Sequence, residues 1–125
     1  MKNKPSILIV EDDIVLNEAY VTILGMEYAD VCTAFNGEEA LRVAEQQNPD
    51  IIFLDLRMPV MDGIGFLEKY KLKEHHPDVR IVIFSNYDMQ AEVDRAYELG
   101  AERYVLKARA SPKELLKMVE TLSKA

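Results

Sequence analysis

Apolar residues along the chain come in short unbroken runs separated by stretches of helical spacing. Ile7-Leu8-Ile9-Val10, Ile51-Ile52-Phe53-Leu54 and Ile81-Val82-Ile83-Phe84 are largely β-branched and bounded by polar positions. Such runs suit strands covered on both faces, as in a parallel sheet. Weaker runs at 30–34 and 103–106 predict two further strands. Between them, Ile14, Leu16, Tyr20, Ile23 and Leu24 recur at helical spacing from 13 to about 24, and Gly25 ends that helix. Asn36 opens a second helix as its cap, with Glu39 completing a capping box and Asn48-Pro49 as the stop. A third helix is predicted from about 63 to 74, and a fourth from 88 to 99 with Gly100 as a left-handed cap. The last begins at Ser111-Pro112-Lys113-Glu114, with Ser111 as cap, Pro112 at the first helical position and Glu114 closing a box.

Five strands alternating with five helices predict one α/β domain over residues 1–125, a doubly wound, flavodoxin-like parallel sheet in the order 2-1-3-4-5. Neither an internal repeat nor a linker interrupts the pattern. Lysine plus arginine number 15 against 22 aspartate plus glutamate, a formal net charge of -7. That balance argues against direct binding to nucleic acid or an anionic membrane, because like charges repel. Cys32 is the lone cysteine, which excludes an internal disulfide and a multi-cysteine zinc site and fits a reducing compartment. No apolar run approaches the roughly 20 residues a bilayer span needs. The apolar run behind the basic Met1–Pro5 segment stops at Glu11, too soon for a signal peptide. A cytoplasmic protein is expected.

The chemistry lies in the polar residues directly behind each strand. Glu11 and Asp12 come after the first, Asp55 after the third, Ser85 after the fourth and Lys107 after the fifth. In a parallel sheet all carboxyl ends share one edge, and ligands bind where the winding reverses, here between strands one and three. Three carboxylates, a hydroxyl and an ammonium then meet on one rim. Such a carboxylate cluster is costly unless cations offset it. Lys107 supplies one charge, and hard oxygen donors without histidine or thiolate favour Mg²⁺, which typically combines one or two carboxylates with water and a phosphoryl oxygen. The plainer reading of Asp12 or Asp13 is a helix cap, and that of Lys107 a solvated rim charge. All five positions falling directly behind strands argues for a site.

Residues 7–13 (Ile-Leu-Ile-Val-Glu-Asp-Asp), 55–63 (Asp-Leu-Arg-Met-Pro-Val-Met-Asp-Gly), Ser85 and 104–107 (Tyr-Val-Leu-Lys) resemble the receiver domain of bacterial two-component response regulators. The resemblance covers essentially the whole chain, each motif in order. It implies a signalling switch rather than an enzyme, a phosphoacceptor assisting its own phosphorylation and dephosphorylation. Asp55 would take a phosphoryl group from the phosphohistidine of a sensor histidine kinase or phosphotransfer protein. Glu11 and Asp12 would serve Mg²⁺, Asp12 more directly and Glu11 through water, with Asp55 and the backbone carbonyl of Arg57 completing the ligands. Ser85 and Lys107 would hold phosphoryl oxygens. Tyr104 would follow Ser85 as the switch aromatic, and the signal would leave through the face of the fourth helix, fifth strand and fifth helix to an output partner the sequence does not name. The implied state is a monomer or a weak phosphorylation-dependent homodimer.

The chain departs from the commonest pattern of that family at several positions. Ala108 stands where proline usually follows the lysine; a cis bond there would cost about 2.5–4 kcal/mol, so a trans Lys107–Ala108 bond is expected. Asn86 replaces a small residue, Arg57 and Tyr87 occupy positions that influence dephosphorylation, and Arg103 stands where one subgroup carries an acid used in its dimer. A phosphatase of the aspartyl-phosphate type would want an aspartate where Arg57 stands, and a phosphorylation-independent pseudo-receiver would not need Asp12, Asp55, Ser85 and Lys107 intact. His75-His76 reads as a solvated turn, Gly63-Ile64-Gly65 as no dinucleotide fingerprint, and Cys32, Met58 and Met61 as packing.

Overall fold

The computed structural model describes residues 4–86 and 88–123. Five strands, β1 (Ile7–Val10), β2 (Val31–Ala34), β3 (Ile51–Asp55), β4 (Arg80–Ser85) and β5 (Arg103–Leu106), form one sheet. Its order is β2-β1-β3-β4-β5, as the sequence predicts, and every neighbouring pair is parallel. The helices are α1 (Ile14–Gly25), α2 (Gly37–Gln47), α3 (Gly63–Tyr70), α4 (Gln90–Glu98) and α5 (Pro112–Ser123), with a short helical turn at Leu72–His75 behind α3.

The unbroken apolar runs reflect burial on both faces. Leu8, Val10, Ile52, Leu54, Ile81 and Ile83 face one core, shared with Ala40 and Ala44 of α2, Phe66 and Leu67 of α3, and Val93 and Ala96 of α4. The intervening Ile7, Ile9, Ile51, Phe53, Val82 and Phe84 face a second core with Tyr20 and Leu24 of α1 and Leu115, Val119 and Leu122 of α5. Alternate side chains of a strand point to opposite faces, so two cores require every position to be apolar.

Helix starts follow the predicted caps. Asp13 Oδ1 accepts from Leu16 N at 3.0 Å, Asn36 Oδ1 from Glu39 N at 2.8 Å and Ser111 Oγ from Glu114 N at 3.2 Å. The predicted capping boxes are only half formed: among the described residues neither Glu39 nor Glu114 returns a bond to its cap. The third helix is also shorter than predicted, because Lys71 turns left-handed (φ 54°) and breaks it. Positions two apart on a continuous helix point to nearly opposite sides. The break lets both Tyr70 and Leu72 be buried. Likewise α4 begins at Gln90 rather than Asp88, since Met89 occupies the cap position without a side-chain bond and is itself buried.

Gly100 adopts φ +111°, as a left-handed cap should, and a Cβ there would lie 2.7 Å from Leu72 Cδ2. No peptide bond among the described residues is cis, so Lys107–Ala108 is trans as expected. Tyr87 lies outside the described residues.

Candidate functional site

The two-way winding leaves a crevice at the carboxyl ends of β1 and β3. Glu11 stands immediately after β1, Asp55 closes β3, Ser85 closes β4, and Lys107 opens a 3-10 turn (Lys107–Arg109) directly behind β5. Lys107 reaches back across the rim, its Nζ lying 2.9 Å from Asp55 Oδ2 and 3.3 Å from Glu11 Oε1. All five residues singled out from the strand ends therefore lie on one edge, and Lys107 ties three strands together.

Sequence reasoning missed one residue that builds this edge. Asn17 of α1 is buried, and its Nδ2 donates to the carbonyls of Glu11 (2.9 Å) and Ala34 (3.3 Å), fixing the chain as it leaves β1 beside the end of β2. A polar residue on the inner face of an otherwise apolar helix was the available signal. Asp13, offered as one of two possible caps, is the one that caps α1, and its N–H also donates to Glu11 Oε2 at 3.1 Å. Asp12 is thereby left free of capping, and its side chain is exposed.

The segment behind Asp55 is shaped by its Asp-Gly pair. Asp62 Oδ1 accepts from Gly65 N at 2.8 Å, starting α3. Gly63 lies so close beneath the strand that a Cβ would be 2.7 Å from the Asp55 carbonyl oxygen. The turn brings Arg57 N within 3.2 Å of Asp55 Oδ1, while the Arg57 guanidinium runs outward to Glu92 of α4 at 2.9 Å.

Electrostatics at the rim are unbalanced. Glu11 is fully buried, and burial pushes its carboxyl up to about 7, helped by the charge of Asp55 and opposed by the Asp13 N–H and by Lys107. Burial works against the Lys107 ammonium, but its bond to Asp55 and the two carboxylate charges outweigh this and hold its pKa above the ordinary value. One lysine thus meets two carboxylates, Glu11 and Asp55, in a cluster that holds a third from Asp12.

Glu11, Asp12 and Asp55 each offer an oxygen, all lying within 4.8 Å of one another. Among the described residues Glu11 Oε1 is buried without a directed hydrogen bond, although Lys107 is near in charge contact. An oxygen-only donor set, a surplus of negative charge and an unsatisfied buried carboxylate oxygen fit a hard divalent cation such as Mg²⁺. Ser85 Oγ is buried as well and has no hydrogen-bond partner among the described residues, an available donor at the end of β4. Tyr104 pairs in register with Ile83 and packs half-buried against the core that includes α2, α3 and α4.

The remaining residues behave as packing or surface. Cys32 and Met58 pack at the edge of the same core. His76 stacks on Tyr70, with ring centroids 4.1 Å apart and planes at 4°, so the turn expected to be solvated holds one histidine against an aromatic ring. Among the described residues no helix is long and apolar enough to cross a membrane.

These features define a doubly wound α/β domain with an acidic site, crossed by a lysine, at the carboxyl edge of its sheet. The chain belongs to the response regulator receiver domain family, whose model matches residues 7–120. It is 35% identical over 120 residues to a probable transcriptional regulator ycf27 of Cyanophora paradoxa, covering 96% of this chain and 48% of that protein. It is 37% identical to the nitrate/nitrite response regulator protein NarL of Escherichia coli (strain K12), covering 90% of this chain and 51% of NarL. The chain therefore spans about half the length of these relatives.

Solved structures agree. The N-terminal domain of an uncharacterized protein (WS1339) from Wolinella succinogenes aligns with a TM-score of 0.84 at 30% identity, covering 94% of this chain and 92% of that one. The chemotaxis response regulator CheY4 of Vibrio cholerae aligns at 0.83 with 25% identity, covering 96% and 99%. The chain is a receiver domain of two-component signalling.

Proposed function

We propose that this receiver is a phosphorylation-dependent switch whose acceptor is Asp55. The observation that carries the reading is the contact of Lys107 Nζ with Asp55 at 2.9 Å, inside a cluster that also holds Glu11, Asp12 and the unpartnered Ser85 hydroxyl. An Asp55 oxygen attacks the phosphorus of a phosphohistidine on a sensor kinase or phosphotransfer protein. The P–O bond forms as the P–N bond breaks, and the imidazole leaves with the electron pair. Lys107 neutralises one equatorial oxygen and Ser85 donates to another, so positioning and charge do most of the catalysis.

Glu11, Asp12, Asp55 and the Arg57 carbonyl would hold Mg²⁺, with Glu11 acting through water. The ion, when bound, supplies positive charge against the oxygens of the transferring group. Water later hydrolyses the mixed anhydride, so the domain assists its own phosphorylation and dephosphorylation without being an enzyme in the usual sense. Tyr104 follows Ser85, and the altered face of α4, β5 and α5 is read by an output partner. The domain works in the cytoplasm, as a monomer or a weak dimer formed on phosphorylation; neither nucleic acid nor membrane contacts this part directly.

Incubation with a small acyl phosphate and Mg²⁺ should add one phosphoryl group to the protein and to Asp94→Ala, and none to Asp55→Ala. Undiminished labelling of Asp55→Ala would overturn the assignment.

A further inference from the structure

The β3–α3 loop and α4 are joined at the rim by one ion pair whose position relative to Asp55 suggests more than surface chemistry. Arg57 is rooted at the acceptor, since its own N–H bonds Asp55 Oδ1. Among the described residues its guanidinium makes one ion pair, Nη2 to Glu92 Oε1 at 2.9 Å, with the Arg57 side chain 68% exposed and that of Glu92 32%. It borders an open cavity of about 500 Å³ lined by Arg57, Met58, Asp62, Ile64 and Glu92, so the arginine is not packed in place. An exposed, one-pronged pair of this kind contributes little net stability and is easily exchanged.

The other end of the pair is equally exposed to change. α4 lacks a capping side chain, and Glu92 is the acid of its first turn. The pair therefore ties that turn to the acceptor loop, while Arg95 to Glu68 at 3.4 Å ties the helix to α3 further along. Near the acceptor, Lys107 is already shared between Glu11 and Asp55. A phosphoryl group on Asp55 adds anionic oxygens with lone pairs beyond those that Lys107, Ser85 and a bound Mg²⁺ would engage. The planar guanidinium fork matches two such oxygens at once, a better partner than one contact with Glu92.

We propose that Glu92 is a positioning residue for the phosphorylation site, holding the Arg57 guanidinium off Asp55 until a phosphoryl group there draws it away and unties the first turn of α4. This rests on the reading of Asp55 as the phosphoacceptor. Linkage then requires that removing the competitor strengthen binding of a phosphoryl group at Asp55.

Beryllofluoride, a tetrahedral phosphoryl mimic, titrated in Mg²⁺ and followed by fluorine NMR, tests this on the whole chain. Glu92→Gln should bind it at least threefold tighter than the unsubstituted protein, and the gain should vanish when Arg57→Gln is also present. Amide exchange at residues 93–96 should quicken at least threefold when the mimic binds the unsubstituted protein, already be fast in free Glu92→Gln, and not respond to the mimic in Arg57→Gln. Equal affinity of the unsubstituted protein and Glu92→Gln, or a gain that survives Arg57→Gln, overturns the role of Glu92 alone. Binding that persists in Asp55→Ala overturns the acceptor assignment and this proposal with it.

Discussion

Replacing Glu11 by glutamine tests the charge imbalance at the rim. The glutamine keeps the shape of the side chain and an oxygen for the Asp13 N–H, but it carries no charge to desolvate. Glu11 ionises near 4.5 when unfolded and at about 7 when folded, because burial disfavours its charged form. The folded state therefore holds the extra proton, and linkage makes this contribution to stability full below pH 4.5 and lost as the pH rises through about 7. The gap sets a ceiling of about 3.4 kcal/mol at roughly 1.4 kcal/mol per pH unit. Water at the open rim and the loss of attraction to Lys107 reduce this, so an effect of about 1–2 kcal/mol is expected.

Urea melts of both proteins in EDTA, from pH 5 to pH 8, measure the effect. The two should be nearly equal at pH 5, and Glu11→Gln should be the more stable at pH 8 by that margin. Lys107 does not intrude, since its pKa is raised from an already high value and it stays charged throughout. Millimolar Mg²⁺ should shrink the difference by favouring the ionised cluster. A Glu11→Gln protein no more stable at pH 8, or a difference that does not change with pH, would refute the reasoning.

The other expectations are simpler. Asp12→Ala should stabilise the metal-free protein by on the order of 1 kcal/mol, since this exposed side chain caps nothing and removing it relieves repulsion; urea melts in EDTA that show destabilisation would contradict this. Tyr20→Phe should cost about 1–2 kcal/mol, because the buried hydroxyl donates to the Ala110 carbonyl at 2.6 Å and its loss leaves that oxygen unpaired; thermal denaturation measures it. Gly100→Ala should cost at least about 1 kcal/mol through its positive φ and the clash with Leu72, and an unchanged melting temperature would show that the turn relaxes freely.

The strand runs, the alternation and the strand-end residues were legible from residues 1–125 alone because they are local: an apolar tetrad followed by a carboxylate needs no knowledge of the rest of the chain. The strand order was also reached, because a two-way wound parallel sheet leaves few choices. Features that depended on tertiary packing were harder to see. The break at Lys71 serves the burial of Tyr70 and Leu72 together, and nothing in the spacing of α3 announces it. The choice of Asp13 over Asp12 as cap follows from how the chain leaves β1, which Asn17 fixes by bonding two strands at once. The contact of Arg57 with Glu92 joins residues 35 apart in sequence, and that of Lys107 with Glu11 joins residues 96 apart. Sequence determined which chemical groups would reach the rim, because strand ends are set by local pattern. Only the folded structure decided which carboxylate is buried, which is exposed and which cation each one meets, because burial and charge pairing belong to the packed chain as a whole.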